Sequence, residues 1–363
     1  MLEGLRIVEI EALGPAPFAC MMLADLGADV IVVHRRNGRP APGMPSRSVI
    51  DRGKRSIELD LKSPSDIAVL TKLVRRSEAL VEGFRPGVME RLGLGPKDLA
   101  EINPDLVYGR MTGWGQSGPR AQTAGHDLNY VSLSGAAWYA SNPGEPPFTP
   151  PTLVGDIGGG ALYLVAGILA GVMAARGGRG GTVVDAAIVD GSAHMMNLLM
   201  ALKQTGGLAM TRGQSLLDGP PWSRCYACAD GGFISVQCLE PKFYAEFLAR
   251  LGLADDADFA AQFDAGAWPR QTALMAGIFA RKPRTHWETL FAGSDACVAP
   301  ALDPLQSAAE PHMAARGVWR TDDGVLQAAP APRFSTEPDR SARAIPARGE
   351  HTEAILAWLE AGT

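Results

Sequence analysis

His126, in Ala124-Gly125-His126-Asp127-Leu128-Asn129-Tyr130, and Asp156, in Leu153-Val154-Gly155-Asp156-Ile157-Gly158-Gly159-Gly160, are the residues best suited to acid–base chemistry. Each reads as sitting where loop turns into helix, so an imidazole and a carboxylate can face one carbon from opposite sides. Inverting a carbon beside a carbonyl requires just that: one group takes a proton from one face and another delivers one to the opposite face, each with a pKa drawn toward the working pH. Burial would raise a carboxyl such as Asp156, which precedes an uncharged stretch, although the positive end of a helix would oppose the shift. His126 needs its second ring nitrogen held so that one tautomer is fixed. The blander alternatives are a His-Asp surface hydrogen bond and a Gly-Asp helix cap, and Asp156 can be both cap and catalyst.

These residues have to be positioned by a scaffold, and the first half of the chain alternates short β-rich runs with helical ones, the pattern of an α/β domain with a mainly parallel, Rossmann-like sheet. Strands are expected at residues 5–10, 29–33, 56–61, 79–84, 106–111 and 182–188, with helices at 17–26, 64–76 and 190–203. Residues 157–175 carry no charge and five glycines. That length approaches the roughly 20 residues of a membrane span, but the glycines, including Gly167 and Gly171, suit a closely packed core helix, and no membrane span is expected. Residues 205–224 read as a linker rich in Gly, Thr, Ser and Pro. Beyond it, strands at 224–227 and 233–238 and helices at 241–251, 270–281 and 285–291 describe a smaller α+β domain. The expected division is 1–204 for the large domain, 225–324 for the small one, and a return to the large domain over 325–363, with a terminal helix at 350–359.

Composition excludes several classes. The 34 basic and 39 acidic residues give a net charge of -5, which offers no support for a nucleic-acid surface. Five scattered cysteines point to a reducing cytoplasm rather than a disulfide framework. Cys225 and Cys228 have redox or half-zinc spacing, but no second ligand pair completes four, so two half-buried thiols are expected and no metal. His34, His286, His312 and His351 read as surface residues, and His194 as part of a methionine-rich helix. The first strand-to-helix turn, Glu11-Ala12-Leu13-Gly14-Pro15-Ala16-Pro17, has two prolines and one glycine, and so cannot supply the G-x-G-x-x-G turn of a dinucleotide site.

Several separate stretches resemble the class III coenzyme A transferase superfamily and, within it, the α-methylacyl-CoA racemases. They are Leu5-Arg6-Ile7-Val8-Glu9, Leu23-Ala24-Asp25-Leu26-Gly27-Ala28-Asp29-Val30, Asp51-Arg52-Gly53-Lys54-Arg55-Ser56-Ile57 through Asp60-Leu61-Lys62, and Glu82-Gly83-Phe84-Arg85-Pro86-Gly87-Val88. The series continues through Arg110-Met111-Thr112-Gly113-Trp114-Gly115-Gln116-Ser117-Gly118-Pro119, the His126 and Asp156 segments, Gly177-Gly178-Arg179-Gly180-Gly181, and Glu240-Pro241-Lys242-Phe243-Tyr244. The resemblance covers nearly the whole chain.

The resemblance implies an acyl-CoA thioester as substrate and an interlocked homodimer, with CoA as part of the substrate and no separate cofactor. In the transferases the aspartate matching Asp156 is a nucleophile, and a His126-Asp127 element is not part of their pattern; racemases carry both. It further implies that Glu240 of the partner subunit fixes the His126 tautomer and that the backbone N–H of Asp127 meets the enolate oxygen. Arg35, Arg85 and Arg91 are implied as phosphate contacts, and Leu61, Lys62, Gly83, Gly125 and Tyr130 as contacts to the rest of CoA. Family members commonly carry an acid where His34 stands. The methionines Met195, Met196, Met200 and Met210 are implied as a surface on which acyl chains slide, with packing against the partner chain as the alternative. The expected activity is interconversion of (2R)- and (2S)-2-methylacyl-CoA through an enolate. The rivals are CoA transfer with Asp156 as nucleophile, and a catalytically silent CoA-binding homodimer.

Overall fold

A computed structural model describes residues 1–40, 43–322, 324–336 and 343–361, and its contacts divide the chain into two units. The larger unit holds Met1–Ala137, Thr149–Met196 and Thr321–Thr363; the smaller holds Trp138–Phe148 and Asn197–Arg320. Parts of the expected 225–324 and 325–363 segments, at 323, 337–342 and 362–363, fall outside the described residues.

The larger unit opens with β1 (Arg6–Ile10), α1 (Pro15–Asp25), β2 (Asp29–Arg35), β3 (Arg55–Leu59), α2 (Pro64–Arg75) and β4 (Ala79–Glu82). It continues with α3 (Val88–Arg91), α4 (Pro96–Ile102), β5 (Val107–Thr112), α5 (Asp127–Leu133), α6 (Leu162–Ala174), β6 (Thr182–Ala187) and α7 (Ile188–Met195). The six strands pair in the order β3-β2-β1-β4-β5-β6, all parallel. Strands β1, β2, β4 and β5 are buried along nearly their whole length, so Val and Ile face a core on both sides rather than alternating with polar residues. One core joins Ala19, Cys20 and Leu23 of α1 with Leu164, Ile168 and Val172 of α6. The other joins Leu70, Leu73 and Val74 of α2 with Ile355 and Leu359 near the C-terminus.

The uncharged run is a continuous helix. Its α6 portion is preceded by a π-helical segment, Leu153–Ala161, and followed by a terminal turn, Ala175–Arg179, broken by Gly178 at φ 82°. The whole stretch Leu153–Arg179 is long and apolar enough to cross a membrane by composition, yet Leu164, Val165, Ile168 and Val172 pack into the sheet core. The expected glycine packing is present: a Cβ on Gly167 would lie 2.5 Å from Val184, and one on Gly171 2.8 Å from Val107. Overpacking of that kind costs about 1–3 kcal/mol. The Gly158–Gly160 run also serves packing, since a Cβ on Gly191 of α7 would meet Gly159 O at 1.9 Å.

Two expectations need correction here. The single helix at 190–203 is two, α7 and α8 (Asn197–Gln204), with Met196 between them. His34 is buried in β2 at 5% exposure, its Nδ1 2.8 Å from Ser56 Oγ, and burial together with Arg348 holds its pKa below the usual imidazole range. A charged flank (His34-Arg35-Arg36) disguised the inward-facing position.

The smaller unit contains the antiparallel sheet β7 (Ser223–Ala227), β8 (Phe233–Gln237) and β9 (Val298–Ala301), with α9 (Pro241–Leu251), α10 (Trp268–Phe279) and α11 (Arg284–Phe291). Trp222, Tyr226, Phe247, Phe279, Trp287 and Phe291 fill its core. Trp222, inside the stretch read as a linker, is fully buried and its indole N–H donates to Gln262 O at 3.1 Å. Residues 205–224 are therefore part of this unit rather than a connector, as is the excursion 138–148. The Cys225-Cys228 reading also changes: strand alternation points Cys228 inward and leaves Cys225 exposed. Short helices α12 (Pro304–Ala309) and α13 (Pro311–Ala315) follow. The chain then runs through β10 (Trp319–Asp322) and β11 (Val325–Ala328) to α14 (Thr352–Glu360), which belongs to the larger unit and contributes Ile355 and Leu359 to its core. There the Trp358 ring lies under the guanidinium groups of Arg6, Arg55 and Arg76, at 4.5, 5.5 and 4.9 Å.

Candidate acid–base site at the sheet switch point

In the strand order of the larger unit, connections from β1 run outward to β2 and β3, then cross back to β4 on β1's other side. At such a reversal the loops leaving two neighbouring strands part and open a crevice at their C-terminal ends. Gly83 follows β4 there, and a Cβ on it would lie 2.9 Å from Ala12 Cβ in the turn after β1. Two residues on is Gly14, at φ +75°, a conformation that suits glycine. A Cβ on Gly14 would sit 3.5 Å from Asp156 Oδ2, which places the Asp156 carboxyl over the crevice.

Asp156 is not the helix cap that its sequence suggests. The cap is Thr152, at φ 62°, and Asp156 lies inside the π-helical turn that follows. An i→i−5 bond from Ile157 N–H to Thr152 O, 3.0 Å, opens this turn; local π geometry is common at functional sites. The backbone N–H of Asp156 donates to Asp127 Oδ1 at 2.8 Å. Gly155 permits the approach: a Cβ there would be 2.4 Å from Asp127 Oδ1 and 2.8 Å from Val131 Cγ1.

His126 caps α5, as expected of a loop-to-helix position. Its backbone N–H donates to Asn129 Oδ1 at 3.0 Å while its ring stays exposed, and Asp127, the first residue of α5, is buried. The carboxyl of Asp156 is pushed up to about 6, chiefly by desolvation and then by the Asp127 charge, against which His126 pulls downward. A carboxyl poised one unit below neutrality keeps both protonation states accessible, which is what a group required to take and to give a proton needs.

Tyr130, one turn further along α5, is buried, and its hydroxyl donates to Gly125 O, the carbonyl just before His126. Trp114 meets the Tyr130 ring edge-to-face with centroids 4.7 Å apart. Gly113 and Gly125 make room for this pair: a Cβ on Gly113 would be 1.9 Å from Tyr130 Cζ, and one on Gly125 2.9 Å from Trp114 Cζ2. The Tyr130 hydroxyl is raised by burial and by the nearby Asp156 charge, and lowered by Arg85. Gly125, His126, Asp127, Tyr130, Asp156 and Arg85 thus form one neighbourhood.

The other expected CoA contacts share the C-terminal edge of the sheet. Arg35 ends β2 with an exposed side chain, Leu61 and Lys62 follow β3, and Gly83, Arg85 and Arg91 follow β4. The Arg91 guanidinium folds back over Gly87, where a Cβ would be 3.2 Å from its Nη1. Glu240 caps α9 in the smaller unit and is exposed. Trp114, Gly14, Gly113 and Gly155 were not singled out from sequence; Gly113-Trp114 and Gly155 lie inside quoted motifs, and only their contacts reveal what they do.

A family model described as CoA-transferase family III matches residues 2–352. The chain is 39% identical to the mouse (Mus musculus) α-methylacyl-CoA racemase over 98% of its own length and 92% of that protein. It is 30% identical to an acetyl-CoA:oxalate CoA-transferase from Acetobacter aceti, over 89% of this chain and 86% of that one. A CAIB/BAIF family protein of known crystal structure from Brucella suis superimposes with a TM-score of 0.83 at 27% identity, covering 99% of both chains.

Proposed function

The chain belongs to CoA-transferase family III, and from that premise we infer that it is a racemase of 2-methylacyl-CoA thioesters. One observation carries the reading beyond the family: the residue that follows His126 binds the backbone of Asp156, so one hydrogen bond ties together the two segments that carry an imidazole and a carboxyl poised near neutrality. A nucleophilic carboxylate for CoA transfer would need neither the histidine nor a raised pKa. The higher identity to a racemase than to a transferase points the same way.

The reaction needs no metal or redox group. For one epimer His126 takes the C2 proton, the C–H pair becomes the C1–C2 double bond, and negative charge moves to the thioester oxygen. The backbone N–H of Asp127, at the start of α5, is the donor proposed for that oxygen. Protonated Asp156 then delivers its proton to the opposite face of C2 as the enolate collapses, and the other epimer runs in reverse. Arg35, Arg85 and Arg91 hold the phosphates of CoA, with Leu61, Lys62, Gly83 and Gly125 along the rest of the molecule. Glu240 of the partner subunit sets the His126 tautomer in a homodimer. Support for the dimer comes from apolar side chains left uncovered on the larger unit: Leu162 at 43% and Met173 at 75% on α6, and Val183 at 49% on the edge strand β6.

The test is incubation of a single 2-methylacyl-CoA epimer in deuterated water, with and without a free carboxylic acid. Epimerisation with deuterium at C2 is expected without the acid, and loss of one acid–base group, His126→Ala, should lower it on the order of 10²–10⁴-fold. A new CoA ester formed only with the acid would establish transfer in place of racemisation. No reaction in either arm would leave a silent CoA-binding protein.

A further inference from the structure

We propose that Arg110 is a positioning residue for CoA, clamping both ends of the loop that carries Arg85 and Arg91. The inference rests on the assignment of those two arginines to the CoA phosphates.

Arg110 lies on β5 directly opposite Glu82, the last residue of β4. It is 7% exposed, and no role in acid–base chemistry falls to it. Its Nε donates to Glu82 Oε1 at 3.1 Å, and its Nη1 and Nη2 donate to the two oxygens of Glu90 at 2.7 and 3.3 Å. The second oxygen of Glu82 accepts the backbone N–H of Phe84 at 2.6 Å. One guanidinium therefore reaches, through Glu82, the first turn of the loop after β4 and, through Glu90, the one-turn helix α3 next to Arg91. Arg85 lies between these anchors and Arg91 directly beside the second, whereas Gly83 is set by its close approach to Ala12.

The energetics favour a device over incidental packing. Glu82 is 1% exposed and burial pushes its carboxyl up to about 7, so the fold maintains a costly group at the root of this loop. Desolvation raises the Glu90 carboxyl, but the Arg110 hydrogen bonds and charge, together with backbone hydrogen bonds at Glu90 and Gly87, hold it below the usual carboxylate range. A planar fork that satisfies two carboxylates in fixed directions is something arginine provides and lysine does not. Without it, the loop that carries the exposed Arg85 and Arg91 would keep the core packing of Phe84 and Met89 and the Gln122 bond to Pro86 O, but lose the charge-assisted bonds at Glu82 and Glu90.

The test compares coenzyme A with pantetheine, which lacks the phosphates and adenosine, by calorimetric titration of the full-length protein. In Glu90→Gln, at a partly exposed position where folding is not at risk, and in Glu82→Gln, CoA affinity should fall on the order of tenfold, the scale of one charge-assisted contact misplaced. Pantetheine affinity should stay at the parental value. Arg110→Lys should retain more CoA affinity than Arg110→Gln. Equal loss of both ligands, or parental CoA affinity in the Glu82 and Glu90 variants, would overturn the clamp. Failure of the parent protein itself to bind CoA would instead strike at the functional reading, and the clamp would fall with it.

Discussion

Asp127 Oδ1 accepts the backbone N–H of Asp156 at 2.8 Å, so the residue beside His126 holds the second acid–base residue in place. The same carboxylate acts on Asp156 through its charge, which adds to desolvation in lifting the pKa to about 6. Asp127→Asn separates the two effects, because an amide oxygen still accepts the N–H while the charge is gone. The Asp156 pKa should then fall, and the acidic limb of kcat/KM in the direction where Asp156 is the base should move down by about half to one pH unit. An unmoved limb, with activity retained, would show that Asp127 contributes geometry alone.

The raised carboxyl has a signature in stability as well. Asp156 goes from its ordinary 3.8 to about 6 on folding, so the native state binds the proton more tightly than the unfolded chain does. Its contribution to stability is full below pH 3.8 and is lost as pH rises through 6. Asp156→Asn never pays that cost, and should be more stable than the parent above pH 6 by about 1–2 kcal/mol, discounted for partial exposure. The two proteins should melt together near pH 4 while the variant no longer racemises. Denaturant melts at pH 4 and pH 8 decide this, and a variant less stable than the parent at pH 8 would contradict it.

How much of this was readable from the chain depends on what each feature rests on. The parallel strands were legible because Val-Ile-Leu runs buried on both faces repeat between helical stretches. The helix at 157–175 was legible because glycines at 167 and 171 share one face. The π-turn was not, since nothing in Leu153-Val154-Gly155-Asp156 distinguishes a residue inside a widened turn from one capping an α-helix. That difference lies in Thr152 at positive φ and in a hydrogen bond to Asp127, 29 positions away. His34 misled for a related reason: polar neighbours in sequence say little about a strand residue whose Nδ1 meets Ser56 across the sheet. The aromatic core beginning at Trp222 was hidden by the Gly- and Pro-rich text before it.

Tyr130 offers the last separation, because the resemblance makes it a CoA contact while its hydroxyl is turned inward. That hydroxyl donates to Gly125 O, and Trp114 and Gly113 close around the ring, which leaves the residue 8% exposed. Tyr130→Phe keeps the ring and removes only the tether on the peptide before His126. A lost neutral hydrogen bond of this kind costs about 0.5–1.5 kcal/mol of stability. The functional cost should fall on the proton transfer that begins at His126: kcat down roughly threefold to tenfold in that direction, the scale of a modest misplacement of a catalytic group, with KM for the thioester unchanged. A direct contact to pantetheine predicts the reverse, a raised KM at constant kcat. Steady-state kinetics from each epimer, with the deuterium isotope effect at C2 to confirm that proton transfer limits the rate, tells the two roles apart.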